Sequence, residues 1–205
     1  MVIDMHIHTS FSPCSVINIP DLVERAYESG LDGICITDHD TTASKNIFGE
    51  RLEHRGLCII VGMEYTTSRG DFLIFGPAEY VPEGMEAEDL IGWARKEGGV
   101  AIPAHPFRQS RPTDPGLLPS FGVVEVLNGR NRPYENERCR NWLSQYGNGT
   151  RQTGGSDAHT LEEVGQVVTV FEKCIYGVEG LISELRGGSY KPSHRSSFQQ
   201  PLHRQ

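Results

Sequence analysis

Residues 2–8 of the chain read VIDMHIH, an alternation of apolar and polar side chains that is typical of a β-strand. The apolar residues share one face of this strand, and the other face carries Asp4, His6 and His8. The two imidazoles would then lie about 6–7 Å apart along the strand, close enough to share one metal ion. Histidines that are only hydrogen-bonded in a core give the same pattern, so the pair alone is a weak indication of a metal site.

Metal-competent side chains follow four further strand-like runs, each at the point where the run ends. Asp38 and His39 follow GICIT, Glu64 follows LCIIVGM, His105 follows VAIPA, and Asp157 and His159 follow QTGGS. In a parallel barrel the carboxyl ends of all strands meet on one face, whereas a doubly wound sheet gathers only those near its switch point. The distribution therefore favours a TIM-barrel-like α/β fold, short or distorted, in a single domain.

Helix-like segments separate these strands and make roughly seven β/α units. The sequence predicts helices over residues 19–30, about 42–55, 86–97, 134–147 and 178–188. The remaining predicted strands are FLIFG, VVEVLN, RQTGGSD and VVTVF. The expected domain covers residues 1–187, and residues 188–205 are expected to form a loose polar tail.

The composition limits the function classes. The chain has 205 residues and a formal net charge of −8, which argues against binding of long duplex nucleic acid but not against a small anionic substrate beside metal ions. No run is long and apolar enough to span a membrane, and no secretory signal is visible. Five cysteines without paired spacing favour reduced thiols, so we expect a cytoplasmic protein.

The ligand types restrict the metal. Imidazole and carboxylate together suit Zn²⁺, Mn²⁺ or iron better than Ca²⁺ or Mg²⁺. About eight such ligands are too many for one ion, so the sequence predicts two or three divalent ions, with a carboxylate such as Glu64 as a bridge.

Five stretches of the chain resemble the motifs of the PHP family, the polymerase and histidinol phosphatase domain. They are DMHIHTSFS, GLDGICITDHDT, GMEYTT, AHPFR and GGSDAH, in the expected order between His6 and about Arg186. The resemblance, to small stand-alone metal-dependent phosphoesterases, implies a distorted (β/α)7 barrel with a di- or trinuclear metal centre. It implies a first ion on His6, His8, Glu64 and Asp157, a second on Glu64 and His105, and a third on His39 and His159.

Two positions depart from the family pattern. Asp71 stands where the family usually has a histidine, and it is either a ligand or an ordinary turn residue. Pro13 stands where many members have a metal-binding aspartate, and Cys14 follows it. Cys14 is either a thiolate ligand or a small thiol without a metal role, and in the second case the third ion would be weakly held.

The predicted activity is hydrolysis of a phosphoester of a small metabolite, nucleotide or short oligonucleotide by a hydroxide that bridges two metal ions. Arg108 and Asp38 are the candidate catalytic residues, although Asp38 could instead orient a ligand ring. Arg108 and Arg130 are the candidate phosphate contacts.

Two other functions stay open at this point. An amidohydrolase-type enzyme that cleaves C–N bonds also begins with His-x-His, but its bridging carbamylated lysine has no counterpart here. None of the four lysines ends a ligand-bearing strand; they are Lys45, Lys96, Lys173 and Lys191. A metal-bound regulatory module without turnover would also retain the ligands.

Overall fold

The computed structural model describes residues 1–48, 53–54 and 56–197. Within these ranges the strands are β1 (Val2–Ile7), β2 (Gly33–Ile36), β3 (Glu53–His54), β4 (Leu57–Val61), β5 (Met63–Thr67), β6 (Gly70–Phe75), β7 (Val100–Pro103), β8 (Val123–Asn128), β9 (Arg151–Gly155), β10 (Val167–Phe171) and β11 (Tyr190–His194). The α-helices are α1 (Ile19–Glu28), α2 (Lys45–Phe48), α3 (Ala87–Lys96), α4 (Pro133–Tyr146) and α5 (Gly177–Gly187).

The strands form three sheets. The first has the order β11-β10-β1-β2-β4-β3, the second has the order β5-β6-β7, and the third pairs β8 with β9. β1, β2 and β4 are parallel, as are β8 and β9, and the other pairs are antiparallel. The α/β class is confirmed, but the sheets are mixed and the described residues form no closed hydrogen-bonded barrel. The (β/α)7 barrel therefore stays a prediction.

The sheets are joined to one another at residues of the candidate site. A backbone bridge between His39 and Glu64 links the first sheet to the second. The N–H of Asp157 donates to the carbonyl of His6 at 2.7 Å and so links the third sheet to the first. The contacts that hold the sheets together thus also fix the positions of these side chains.

One apolar cluster is shared by all three sheets and α5. Its fully buried members include Ile3, Met5, Leu73, Leu181 and Leu185. Burial of such side chains is the main favourable contribution to folding, and here it occurs beneath the strand ends that carry the polar residues.

The predicted helix at residues 19–30 is confirmed as α1. The side chain of Asn18 accepts a hydrogen bond from the N–H of Asp21 at the helix start, which satisfies one of the free amides. Leu22 and Ala26 are buried and pack in the same cluster as Ile34 of β2. None of the described helices is long and apolar enough to cross a membrane.

Two predicted elements are different in the structure. The helix predicted over about 42–55 is reduced to Lys45–Phe48, while residues 53–54 form β3 and residues 49–52 and 55 lie outside the described residues. The strand LCIIVGM is two strands that separate at Gly62, whose N–H still donates to Ile36 at 2.8 Å. After Gly62 the chain leaves the first sheet to pair with β6, so Glu64 lies within β5 and does not follow a strand.

The prediction of a loose tail from residue 188 is wrong for Tyr190–His194, which form β11 along β10. The ring of Tyr190 packs against Phe171 with centroids 5.0 Å apart, and this contact anchors the otherwise polar strand. Residues 198–205 of the predicted tail lie outside the described residues.

Candidate metal centre

Four predicted metal ligands converge in the structure, and we call them the inner cluster: His6, His8, Glu64 and Asp157. All four are at most 1 % exposed. The Nε2 atoms of His6 and His8 are 3.0 Å apart. Glu64 Oε2 lies 3.3 and 3.1 Å from these two nitrogens, and Asp157 Oδ1 lies 3.6 and 3.2 Å from them.

The hydrogen bonds of His6 determine which ring nitrogen carries its proton. Nδ1 lies 3.0 Å from Glu125 Oε1, and the other oxygen of Glu125 accepts from the N–H of His105 and from the amide of Asn128. An ionised carboxylate can only accept hydrogen bonds, so Glu125 accepts one from the Nδ1–H of His6 as well. Nε2 of a neutral His6 therefore carries a lone pair. That lone pair points into the inner cluster.

His8 is oriented in the same way through Ser12. The Ser12 hydroxyl donates to Asp38 at 2.8 Å and accepts from the N–H of His39 at 2.9 Å. It can therefore only accept from His8 Nδ1, which lies 3.3 Å away. Nε2 of a neutral His8 is thus also a lone pair that points into the inner cluster.

The inner cluster has the donor set and spacing of a divalent metal site. Two imidazole lone pairs and two carboxylate oxygens meet, an arrangement that requires a proton or a cation between them. Ligand atoms about 2.0–2.2 Å from a tetrahedral Zn²⁺ are about 3.3–3.6 Å apart. The separations of 3.0–3.6 Å between the two histidine nitrogens and from these nitrogens to each carboxylate oxygen are therefore in the range expected for ligands of one ion.

The second oxygen of Glu64 faces a further group of donors. Glu64 Oε1 lies 2.9 Å from His105 Nε2, and ligand atoms of Glu64, Asp71 and His105 lie within 4.8 Å of one another. His105 Nδ1 is buried without a hydrogen-bond partner among the described residues. Asp71 is also engaged by Arg111, which donates to its two oxygens at 2.6 and 2.7 Å. A carboxylate with one oxygen toward each group is suited to bridging two ions.

Three further donors lie on the solvent side of His8, and we call them the outer cluster: Cys14, His39 and His159. Ligand atoms of these residues and of His8 lie within 4.8 Å of one another. The side chain of His39 is 31 % exposed and that of His159 is 12 % exposed. The outer cluster is therefore the part of the centre that a substrate or a solvent ion reaches first.

The backbone is strained where it presents these donors. His105 and Asp157 adopt positive φ angles of 32° and 55°, and Asp40 beside His39 has a φ of 52°. Non-glycine residues adopt such angles at a cost of about 1–3 kcal/mol each, which the surrounding structure must offset. Strain of this kind concentrates at functional sites.

Comparisons with known proteins assign this arrangement of residues to a family. The sequence model of the PHP domain matches residues 4–159, and that of the PHP-associated region matches residues 133–190. The chain belongs to the PHP family. It is 30% identical over 118 residues to the uncharacterized protein MJ1587 of Methanocaldococcus jannaschii, covering 52% of this chain and 68% of the relative. It is 27% identical over 187 residues to MJ0417 of the same organism, covering 84% and 71%.

Solved structures share the fold of this PHP chain. PsfC from Pseudomonas syringae PB-5123 has a TM-score of 0.74 at 19% identity, over 94% of this chain and 91% of PsfC. A Bifidobacterium adolescentis protein, provisionally assigned as a metal-dependent phosphoesterase, has a TM-score of 0.63 at 20% identity, over 77% and 87%. An amidohydrolase from Chromobacterium violaceum, with bound sulfate and no metal, has a TM-score of 0.64 at 16% identity, over 94% and 98%.

Burial and charge set the ionisation of the PHP centre when only protein groups are present. Burial raises the pKa of Glu64 and of Asp157, but the nearby His6 holds both well below the usual range. Burial lowers the pKa of His6, yet Asp157, Glu125 and Glu64 together raise it well above its usual value. In the outer cluster, burial lowers the pKa of His39, and burial with the neighbouring His8 lowers that of His159 to about 4.

Two predicted catalytic residues have other partners in the structure. Asp38 is fully buried and accepts from the backbone and hydroxyl of Thr9 and from Ser12. It therefore positions the loop that orients His8, and its catalytic role stays a prediction. Arg108 donates to Asp157 Oδ2 at 2.6 Å and to Asn128 and Asn131, so it holds the Asp157 carboxylate, and a phosphate contact stays a prediction.

Arg130, the other predicted phosphate contact, is exposed to solvent. Its side chain is 41 % exposed, with Nε 3.8 Å from Glu163. Its charge is among the influences on the pKa values of Cys14 and His159, so it lies near the outer cluster.

Sequence reasoning missed Glu125 and Arg111. Glu125 is a buried carboxylate within the apolar strand VVEVLN, and that contrast was the available signal. Arg111 has no such signal, because its pairing with Asp71 spans 40 positions of the chain.

Proposed function

We propose that this PHP protein is a metal-dependent phosphoesterase that hydrolyses a small phosphorylated metabolite, a nucleotide or a short oligonucleotide. The observation that carries the proposal is the inner cluster, in which two imidazole nitrogens and two carboxylate oxygens converge at metal-ligand spacing. Divalent ions held there would supply Lewis acidity and activate water for attack on a phosphoryl group.

The proposed ligand assignment follows from the two clusters and from Glu64. The inner cluster would hold one ion. Glu64 Oε1 and His105 would hold a second, with Asp71 beside them, and His39 and His159 would contribute to a third. Zn²⁺, Mn²⁺ and Fe²⁺ all suit these ligands.

Arginines around the centre support an anionic substrate. Arg130 is 41 % exposed and Arg111 is 50 % exposed, so the guanidinium groups have surface that a phosphate can reach. A guanidinium binds phosphate oxygens through paired donors. The formal charge of −8 opposes long nucleic acid duplexes and favours small substrates.

A carbon–nitrogen hydrolase of the amidohydrolase type is less well supported. Lys45, Lys96 and Lys173 pair with glutamates away from the centre, and Glu64 lies where a carbamylated lysine would bridge two ions.

The test uses protein stripped of metal and reloaded separately with Zn²⁺, Mn²⁺ or Fe²⁺. The substrates are p-nitrophenyl phosphate, bis-p-nitrophenyl phosphate, nucleoside monophosphates, short oligonucleotides and a panel of amides. We expect turnover of a phosphoester that the double variant His6→Ala, His8→Ala abolishes and the exposed-histidine control His194→Ala retains. Phosphoester turnover no higher than in the double variant would overturn the proposal, and amide turnover would favour the amidohydrolase alternative.

A further inference from the structure

The outer cluster contains one sulfur donor, the thiol of Cys14. Cys14 lies in the segment between β1 and α1, with its Sγ among ligand nitrogens of His8, His39 and His159. Its side chain is exposed and forms no disulfide. We propose that Cys14 is a thiolate ligand of the ion held by His39 and His159, a deepening of the proposed function that rests on the metal centre.

The backbone on either side of Cys14 holds the thiol toward the histidines. The Ser15 hydroxyl donates to the carbonyl of His8 at 2.8 Å and approaches that of His159 at 3.3 Å. The N–H of Val16 donates to the same His159 carbonyl at 3.2 Å. On the other side, the Ser12 hydroxyl accepts from the N–H of His39. The backbone that carries Cys14 is therefore held close to the histidine-bearing segments before an ion binds.

The tautomer of His159 supports coordination. Its Nδ1 lies 2.8 Å from the carbonyl oxygen of Asp157, which can only accept. Nδ1 therefore carries the proton, and Nε2 offers a lone pair. A backbone carbonyl that fixes the ring in this way is the usual support of a metal-binding histidine.

A divalent ion held by His39 and His159 would lie beside the Cys14 sulfur. Such an ion would deprotonate a coordinating thiol, whose proton passes to the solvent. One sulfur and two imidazoles form a donor set that suits Zn²⁺, Co²⁺ and Fe²⁺ and disfavours Mn²⁺ and Mg²⁺. The outer ion is thus selected by its affinity for sulfur.

Cobalt spectroscopy tests the proposal without relying on activity. The full chain, stripped of metal, is titrated with Co²⁺ while the near-ultraviolet sulfur-to-cobalt charge-transfer band is recorded. We expect the band in the unaltered protein and in Cys174→Ser, which removes the other exposed thiol, and its loss in Cys14→Ser. No band in the unaltered protein, or an equal band in Cys14→Ser, would overturn the proposal.

Alkylation gives a second readout. Iodoacetamide labelling is followed by peptide mass spectrometry with and without Zn²⁺, with Cys174 as the internal control. We expect Zn²⁺ to protect Cys14 but not Cys174, and the protection to disappear in His39→Ala. Equal labelling of Cys14 with and without Zn²⁺ would contradict coordination. Turnover without these signals would overturn only the sulfur ligand, whereas the signals without turnover would overturn only the proposed hydrolysis.

Discussion

The inner and outer clusters are built from similar residue types but differ in burial and in support. The inner cluster is at most 1 % exposed, and both of its histidines have Nδ1 fixed by side chains behind them, Glu125 and Ser12. The outer cluster lies on loops, with an exposed Cys14 and a His39 that is 31 % exposed. Ligands that are already oriented lose less freedom when an ion binds, and supporting partners raise ligand basicity.

From this difference we expect two classes of metal site in one centre. We expect the inner cluster to hold its ion tightly and to exchange it slowly, because the ion is enclosed and its four ligands are fixed. We expect the outer cluster to exchange its ion readily and to select it through sulfur.

The largest effect is expected for His6→Ala. The change removes one of four inner donors and leaves Glu64 and Asp157 buried without their main positive partner. Metal affinity of the inner cluster should fall by more than the roughly 10–100-fold that loss of a supporting residue costs. Metal content after gel filtration measures this, with His194→Ala as the control. Full metal content in His6→Ala would contradict the assignment.

Gly155→Ala should damage the inner cluster through packing. A Cβ at Gly155 would meet the Cβ of His6 and lie 2.8 Å from its backbone nitrogen, so β1 must move. Overpacking of this kind lowers the free energy of unfolding by about 1–3 kcal/mol, and we expect weaker inner binding as well. Urea unfolding compares this variant with Gly187→Ala, whose added Cβ meets nothing within 4 Å. Equal stability of the two variants would show that the close approach at Gly155 is unimportant.

Glu125→Gln tests the lone pair of His6 directly. One oxygen of Glu125 accepts two hydrogen bonds, so the amide nitrogen of Gln would face His6 Nδ1. The ring would then place its proton on Nε2, inside the inner cluster. Inner affinity should fall by about 10–100-fold, while the sulfur-to-cobalt band of the outer cluster persists.

The matched control for that variant is Glu137→Gln, an exposed position on α4. Isothermal titration calorimetry with Zn²⁺ measures the inner affinity of the unaltered protein, of Glu125→Gln and of Glu137→Gln. Unchanged inner affinity in Glu125→Gln would mean that Glu125 does not set the tautomer of His6.

A fall of one pH unit should separate the two clusters by a smaller amount than the substitutions above. In the metal-free protein the pKa values of His6 and His8 are raised, so protons compete with the inner ion as pH falls toward and below these values. The pKa values of His39 and His159 are lowered, so their nitrogens stay free of protons to lower pH. Inner affinity should fall by about tenfold per pH unit for each proton displaced.

Metal titrations at several pH values between 8 and 5.5 give the affinity of each cluster for its ion. The difference in pH dependence between the two affinities is the quantity compared. A steeper pH dependence at the outer histidines than at the inner ones would contradict the ionisation described above. Binding to Cys14 releases a proton of its own, so the outer affinity is compared in Cys14→Ser.

Sequence reasoning found most residues of the two clusters because many of them lie at or near strand ends. His6, His8 and Asp157 lie at strand ends, and local pattern is enough to find them. Glu64 was found although its strand was wrongly joined to β4, since a carboxylate after an apolar run stands out either way. The α/β class followed from the alternation of segments, whereas strand direction and the pairing of β11 depend on contacts between distant parts of the chain.

The supporting residues could not be predicted in the same way. The contact of Glu125 with His6 spans 119 positions, and that of Arg108 with Asp157 spans 49. Contacts between such distant positions leave no local pattern in the sequence. Asp38 was placed in the catalytic set because it adjoins His39, and only the structure shows that its oxygens are occupied by Thr9 and Ser12.

The most direct test of the central claim is anomalous diffraction from crystals of the Zn²⁺-loaded protein. The account predicts a peak among His6 Nε2, His8 Nε2, Glu64 Oε2 and Asp157 Oδ1, about 2.0–2.2 Å from each, that survives brief soaking in a chelator. No peak there, or zinc found only at positions outside the inner cluster, would contradict the account.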